Sequence, residues 1–247
     1  MPDQPVHAAL ALLALALGWT VASRWFARTL QRLVLLVTGS ATAAVYLFHA
    51  LLLPGTLLHE LSHLIAAWVL RVPAGGLSLI PAIEASGSVR MGSVQIATGD
   101  PVRESLIGLA PLGAGVLVAS LISRGPLGLP LVDQIWSRPW ELTSSLEGAR
   151  DVGLWMYLLV AIGNTMLPSA SDRRAWLALV PVAAITALVV ALLGPERIPP
   201  TVSLSLWRVL ASLAWAMALT LAVDLALGLP MQLVVMALHR SPASSAH

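Results

Sequence analysis

The stretch Leu57-Leu58-His59-Glu60-Leu61-Ser62-His63-Leu64-Ile65-Ala66-Ala67-Trp68 reads H-E-x-x-H inside an almost wholly apolar run. On a helix, side chains four residues apart share a face about one turn apart, so both imidazoles can reach one metal ion. Zinc accepts neutral imidazole nitrogens and, in hydrolytic sites, keeps a position for water. Glu60, beside the first histidine, is placed to take a proton from that water. Ionisable side chains are costly in hydrocarbon and seldom stand there without a task. The bland alternative is a pair of helix-packing histidines beside a neutral, buried Glu60.

Working outward, the composition says what surrounds this helix. Of 247 residues, 57% are hydrophobic and 11% charged, and the mean hydropathy is +0.84. Soluble domains carry about 25% charged residues. The expected fold is therefore all-α and polytopic, one integral membrane domain over 1–247. The 14 cationic side chains are all Arg, the formal charge is only +2, and no basic cluster with interleaved aromatics occurs. Nucleic-acid binding is thus not expected. With no Cys, thiolate catalysis and disulfides are excluded, and metal ligands must be nitrogen or oxygen. Met1-Pro2-Asp3-Gln4-Pro5 lacks a basic n-region, so the first apolar run is expected to be retained.

Residues 6–23 read as a first span, followed by an interfacial segment in which Arg24, Arg28 and Arg32 flank Trp25 and Phe26. A second apolar stretch, 33–53, meets Pro54-Gly55 and continues as 56–70 with the metal motif. As one helix, 33–70 would measure ~57 Å at 1.5 Å per residue, against a hydrocarbon core of ~30 Å. Either a tight turn at Pro54-Gly55 separates two spans, or one kinked helix runs through, since Pro is tolerated in membrane helices. Residues 74–100 change character: Val89, Met91, Val94 and Ile96 alternate with polar residues, and Ser86-Gly87 signals a turn. This predicts a membrane-associated β-hairpin. Further spans are expected at 104–123, 152–167, 175–193 and 204–229, with a polar connection over 124–150 and a disordered tail over 241–247. The total is six or seven spans. In the seven-span count, Arg24, Arg28, Arg32, Arg71, Arg90, Arg103, Arg173, Arg174 and Arg240 share one side, cytoplasmic by the positive-inside bias.

Two histidines leave a hydrolytic zinc site one protein ligand short. Asp172 is the preferred third ligand, because Asn164 to Asp172 is a polar, Pro-broken stretch in which freed backbone groups can hold a carboxylate. Asp224, deeper in an apolar run, is the rival; its bland alternative is a neutral or helix-paired Asp. His7, His49, His239 and His247 carry no ligand pattern.

With these residues in place, the chain resembles the site-2 protease class of intramembrane zinc metalloproteases. That family carries H-E-x-x-H in one span and, in a later span, an N-x-x-P-x-x-x-L-D-G motif whose Asp is the third ligand. Asn164 and Asp172 reproduce its eight-residue spacing. A β-hairpin after the H-E-x-x-H helix and a Gly/Pro-containing span, here Gly108 to Pro111, also match. The resemblance covers about 40–193, the catalytic core of a divergent, minimal member. Pro168 stands one position late, Ser171-Asp172-Arg173 replaces Leu-Asp-Gly, and the Asn after the Gly-Pro of the intervening span is missing. The resemblance implies zinc on His59, His63 and Asp172, Glu60 as the proton carrier, and cleavage within the transmembrane segments of other proteins in a bacterial inner membrane. It also implies a substrate or oxyanion contact for Asn164, which could equally cap its own broken helix. The hairpin edge could pair with an unwound substrate strand.

Two other function classes stand beside this one. A non-proteolytic membrane assembly protein could retain a metal site, but would have no use for Glu60. An ion-coupled transporter could use His and Asp, but such proteins often contain repeats, and none is visible here.

Overall fold

The structure is a computed structural model that describes residues 4–83, 89–90, 92–97, 100–129, 140–167, 169, 172, 181, 184–185, 194 and 199–240. Its first helix, α1, runs unbroken over Gln4–Thr38. The expected interfacial segment at Arg24–Arg32 is therefore helix interior. Trp19, Ala22, Phe26 and Leu30 are buried along it at helical spacing, which gives the segment a packing stripe. The chain turns at Gly39, whose φ is 65°. Ser40 then caps α2 (Ala41–Val69), its hydroxyl accepting from the Ala43 N–H at 3.2 Å.

The break between the first two helices thus falls at Gly39-Ser40 and not at Pro54-Gly55. Pro54 lies inside α2; its missing N–H removes one rung without ending the helix. Gly55 is needed for a close approach: a Cβ there would meet the carbonyl of Ala161 and the hydroxyl of Thr165 on another helix. His59 lies one turn further along the same face. The end of α2 is a Schellman motif, with Val72 N–H on Ala67 O at 2.8 Å, Arg71 N–H on Trp68 O at 3.0 Å and Arg71 at φ 57°. Pro73, unable to continue the helix, follows.

Two short antiparallel ladders come next. The strands β1 (Ala74–Ser78) and β4 (Ser93–Ile96) pair with Ala74 opposite Ile96. Between them β2 (Ala82–Ile83) pairs with β3 (Val89–Arg90). The expected turn at Ser86-Gly87 lies outside the described residues. Helix α3 (Pro101–Arg124) starts from a cap in which Asp100 accepts the Val102 N–H at 2.9 Å, with Pro101 at the first helical position. A short α4 (Trp140–Gly148) precedes α5 (Val152–Thr165), and the last helix, α6, covers Pro200–Arg240.

Helix α6 lies along α1, while α2 packs against α3 and α5. Four described helices are long and apolar enough to cross a membrane: those at Leu10–Thr38, Ala41–Val69, Pro101–Arg124 and Pro200–Leu238. Helix α5 is apolar but shorter. The expected span at 175–193, apart from residues 181 and 184–185, and the tail at 241–247 fall outside what is described. Large apolar side chains such as Leu17, Val21, Leu117, Leu121 and Leu233 point outward. A helical protein with such faces is compatible with a hydrocarbon surrounding.

Candidate metal centre

Helix α2 supplies His59, Glu60 and His63. Their geometry is set by carbonyls on two neighbouring helices. The Nδ1–H of His59 donates to Thr165 O at 2.8 Å, and that of His63 donates to Ile107 O at 2.9 Å.

Both carbonyls are free for a reason readable in the chain. In a helix, the carbonyl of Ile107 would accept from the N–H four residues on. That residue is Pro111, inside α3, and it has no N–H. The carbonyl of Thr165 is at the end of α5, and the N–H four residues on, that of Ser169, is taken by Asp172 Oδ2 at 2.8 Å. Pro111 and the helix end thus create acceptors, and the imidazoles fill them.

A carbonyl can only accept. Each Nδ1 therefore carries a hydrogen, and each Nε2 presents a lone pair. The two Nε2 atoms lie 3.3 Å apart, with ring centroids at 4.9 Å and planes at 79°. Asp172 completes the group, with Oδ1 at 3.3 Å from His63 Nε2 and Oδ2 at 3.7 Å from His59 Nε2. Three electron-rich donors converge on one point, buried or nearly so. A cation, whether a metal ion or a proton shared within the group, relieves the repulsion among these lone pairs. His59, His63 and Asp172 could hold a metal ion.

Asp172 is held by a capping box. Ser169 Oγ accepts the Asp172 N–H at 3.2 Å while the Asp172 carboxylate accepts the Ser169 N–H. Ser169, not among the expected site residues, is the one whose pattern could have revealed it: Ser169-x-x-Asp172 ahead of an apolar run is a capping-box spacing. Thr165, Ile107 and Pro111 act through backbone atoms, which side-chain motifs do not advertise.

Glu60 is buried beside the histidines, and the start of β4 comes down onto it. A Cβ on Gly92 would stand 2.8 Å from Glu60 Oε1, so only glycine fits without displacing the carboxylate. A cavity of about 370 Å³ opens in front of this group, lined by His59, Glu60, His63 and Asp172 with Ser93 and Val94 of β4 among its other walls.

Asn164 is placed elsewhere. Its amide donates to Val160 O at 3.0 Å and to Asp224 Oδ1 at 2.7 Å. It is not among the residues that line the cavity, and these contacts tie it to its own helix and to α6. Asp224 also accepts from Ser23 Oγ at 2.7 Å and is fully buried between α1, α5 and α6. Asp172, and not Asp224, is the carboxylate brought to the histidines. Compared with protein-family models, with curated proteins and with solved structures, the chain gives no match.

Proposed function

We propose that this chain is an intramembrane zinc metalloendopeptidase of the site-2 protease type, cutting peptide bonds in the transmembrane segments of other membrane proteins. A bacterial inner membrane is the setting we propose for it. One observation carries the reading. A tetrahedral zinc ion with ligand bonds of about 2.0–2.1 Å separates its donors by roughly 3.3–3.4 Å. Here the two imidazole Nε2 atoms stand 3.3 Å apart, and Asp172 reaches them with different oxygens, Oδ1 at 3.3 Å from His63 and Oδ2 at 3.7 Å from His59; taken as one atom per residue, the three donors lie within 4.8 Å of one another. The hydrogen bonds from both Nδ1 atoms to carbonyls are the outer support that zinc-bound imidazoles use.

When bound, zinc would supply an acidified water and a Lewis acid for the scissile carbonyl. Glu60 takes the water's proton and returns it to the leaving amine, which requires a carboxylate close to, but not on, the ligand set. His59 and His63 remain neutral donors because their Nδ1 hydrogens are committed to Thr165 and Ile107. Asp172 brings the negative charge that balances the ion. The edge of β4 not paired with β1, whose residues line the cavity, supports an extended substrate laid beside it. A substrate helix would have to unwind to reach this edge, since a helix keeps its amides internally bonded.

The test separates metal from chemistry. Glu60→Gln should retain a full equivalent of zinc by elemental analysis. It should also lose cleavage of a reporter with one transmembrane segment by about 10²-fold or more. A Glu60→Gln protein that still cuts would remove the assigned base. A wild-type protein purified without chelators and reconstituted with zinc that binds none would remove the centre.

A further inference from the structure

A second feature lies on the outer face of the molecule, away from the histidines. Between α3 and α6 runs an apolar groove of about 830 Å³. Leu109, Leu112, Val116 and Leu117 line it from α3, and Val209 and Leu213 from α6. Leu117, Leu121 and Val209 are 60%, 62% and 63% exposed, so the groove faces outward. Two cations border it: Arg124, in the last turn of α3, and Arg208, near the start of α6. Both are exposed, and neither is ion-paired among the described residues.

We propose that this groove is a binding site for an anionic phospholipid, its headgroup between Arg124 and Arg208 and an acyl chain along the leucines. Three observations favour this occupant. The charge is complementary and confined to one end, as an amphiphile with a single anionic end requires; guanidinium is also the side chain suited to phosphate. The lining from Leu109 to Gly125 spans about 24 Å at 1.5 Å per residue, close to one leaflet with its headgroups, half of roughly 40–45 Å. Polar atoms also stand where a glycerol ester would lie: Ser120 and Ser212 line the groove, and the buried Ser120 hydroxyl lacks a hydrogen-bond partner among the described residues. Gly113 keeps the groove open; a Cβ there would meet nothing within 4 Å.

The experiment uses the full chain in detergent micelles doped with phosphatidylglycerol or phosphatidylcholine, with retained lipid counted by native mass spectrometry. The wild type should retain phosphatidylglycerol about tenfold over phosphatidylcholine. The double variant Arg124→Gln, Arg208→Gln should lose that preference. Gly113→Leu, whose Cβ would meet nothing within 4 Å and whose side chain adds bulk to the groove, should lose both lipids. Because these positions are exposed, zinc content should be unchanged in all variants, so failure here leaves the metal centre standing. Equal retention of the two lipids by the wild type would overturn the proposal. So would an undiminished preference in the double variant, or displacement of phosphatidylglycerol by an uncharged transmembrane peptide.

Discussion

Asp172 and Asp224 are both buried carboxylates in an apolar protein, and their surroundings are opposite. Among the described residues Asp224 meets only donors: the Ser23 hydroxyl and the Asn164 amide, each at 2.7 Å. Asp172 has one donor among the described residues, the Ser169 N–H, and otherwise faces two imidazole lone pairs. A buried polar group whose partners are supplied by the fold is complete. One that faces further lone pairs is incomplete until a cation arrives. Burial alone marks neither as functional; the sign of what surrounds it does. Asp224 joins three helices, and Asp172 belongs to a group that could hold an ion.

The sharpest way to break this contrast is to remove each carboxylate in turn. Asp172→Ala should lower zinc affinity by at least about 100-fold, since an anionic ligand is lost and the two imidazoles remain. Asp224→Ala should leave zinc stoichiometry near the wild-type value and instead destabilise the fold. Ser23 would be left as a buried unpaired donor at a cost of about 1–3 kcal/mol, and Asn164 would keep only its bond to Val160 O. Elemental analysis with a thermal melt in detergent reads both effects. If Asp224→Ala lost the metal while Asp172→Ala kept it, the two assignments would have to be exchanged.

A subtler test concerns the carbonyls. Pro111→Ala restores an N–H that can claim Ile107 O, in competition with His63 Nδ1. The helix itself should gain from the extra bond and from the better helix former. Zinc affinity should nevertheless fall by about 10-fold, the usual scale for losing an outer-shell partner of a ligand histidine. A protein more stable yet weaker for metal would be hard to explain by general damage. Unchanged affinity would mean that His63 is oriented by packing alone.

How much of this could be read from the chain follows from what carries each feature. The H-E-x-x-H face and the stretch holding Asp172 are side-chain patterns at fixed spacing, and they are legible. So is the β character of 74–100, where alternation replaces the Leu/Ala run. Helix boundaries were harder. Pro54-Gly55 looks like a stop, but α2 passes through it because α5 packs against Gly55 and the helix loses only one rung. The actual stop, Gly39-Ser40, is a short polar break whose effect depends on a positive φ. Asn164 stays open between a cap and a substrate contact in the sequence for a related reason. Its partner Asp224 is 60 residues away, and no local pattern announces a contact across helices. The roles of Ile107 and Thr165 reside in backbone oxygens, visible only once the neighbouring helices are in position.

The smallest expected effect concerns the capping box, and it asks whether the hold on Asp172 is separate from the ion. Ser169→Ala removes the hydroxyl that accepts the Asp172 N–H but keeps the Ser169-position N–H that bonds the carboxylate. Loss of such a cap costs about 1 kcal/mol. If that cost falls on the orientation of the carboxylate, zinc affinity should drop about fivefold with little change in the melting temperature of the metal-free protein. If it falls on the local helix start instead, the metal-free protein should melt lower and zinc affinity should hold. Ser169→Thr, which keeps the hydroxyl, should restore whichever quantity was lost. Affinity and metal-free stability both unchanged would show that Asp172 is oriented by the ion and the histidines, with the serine a bystander.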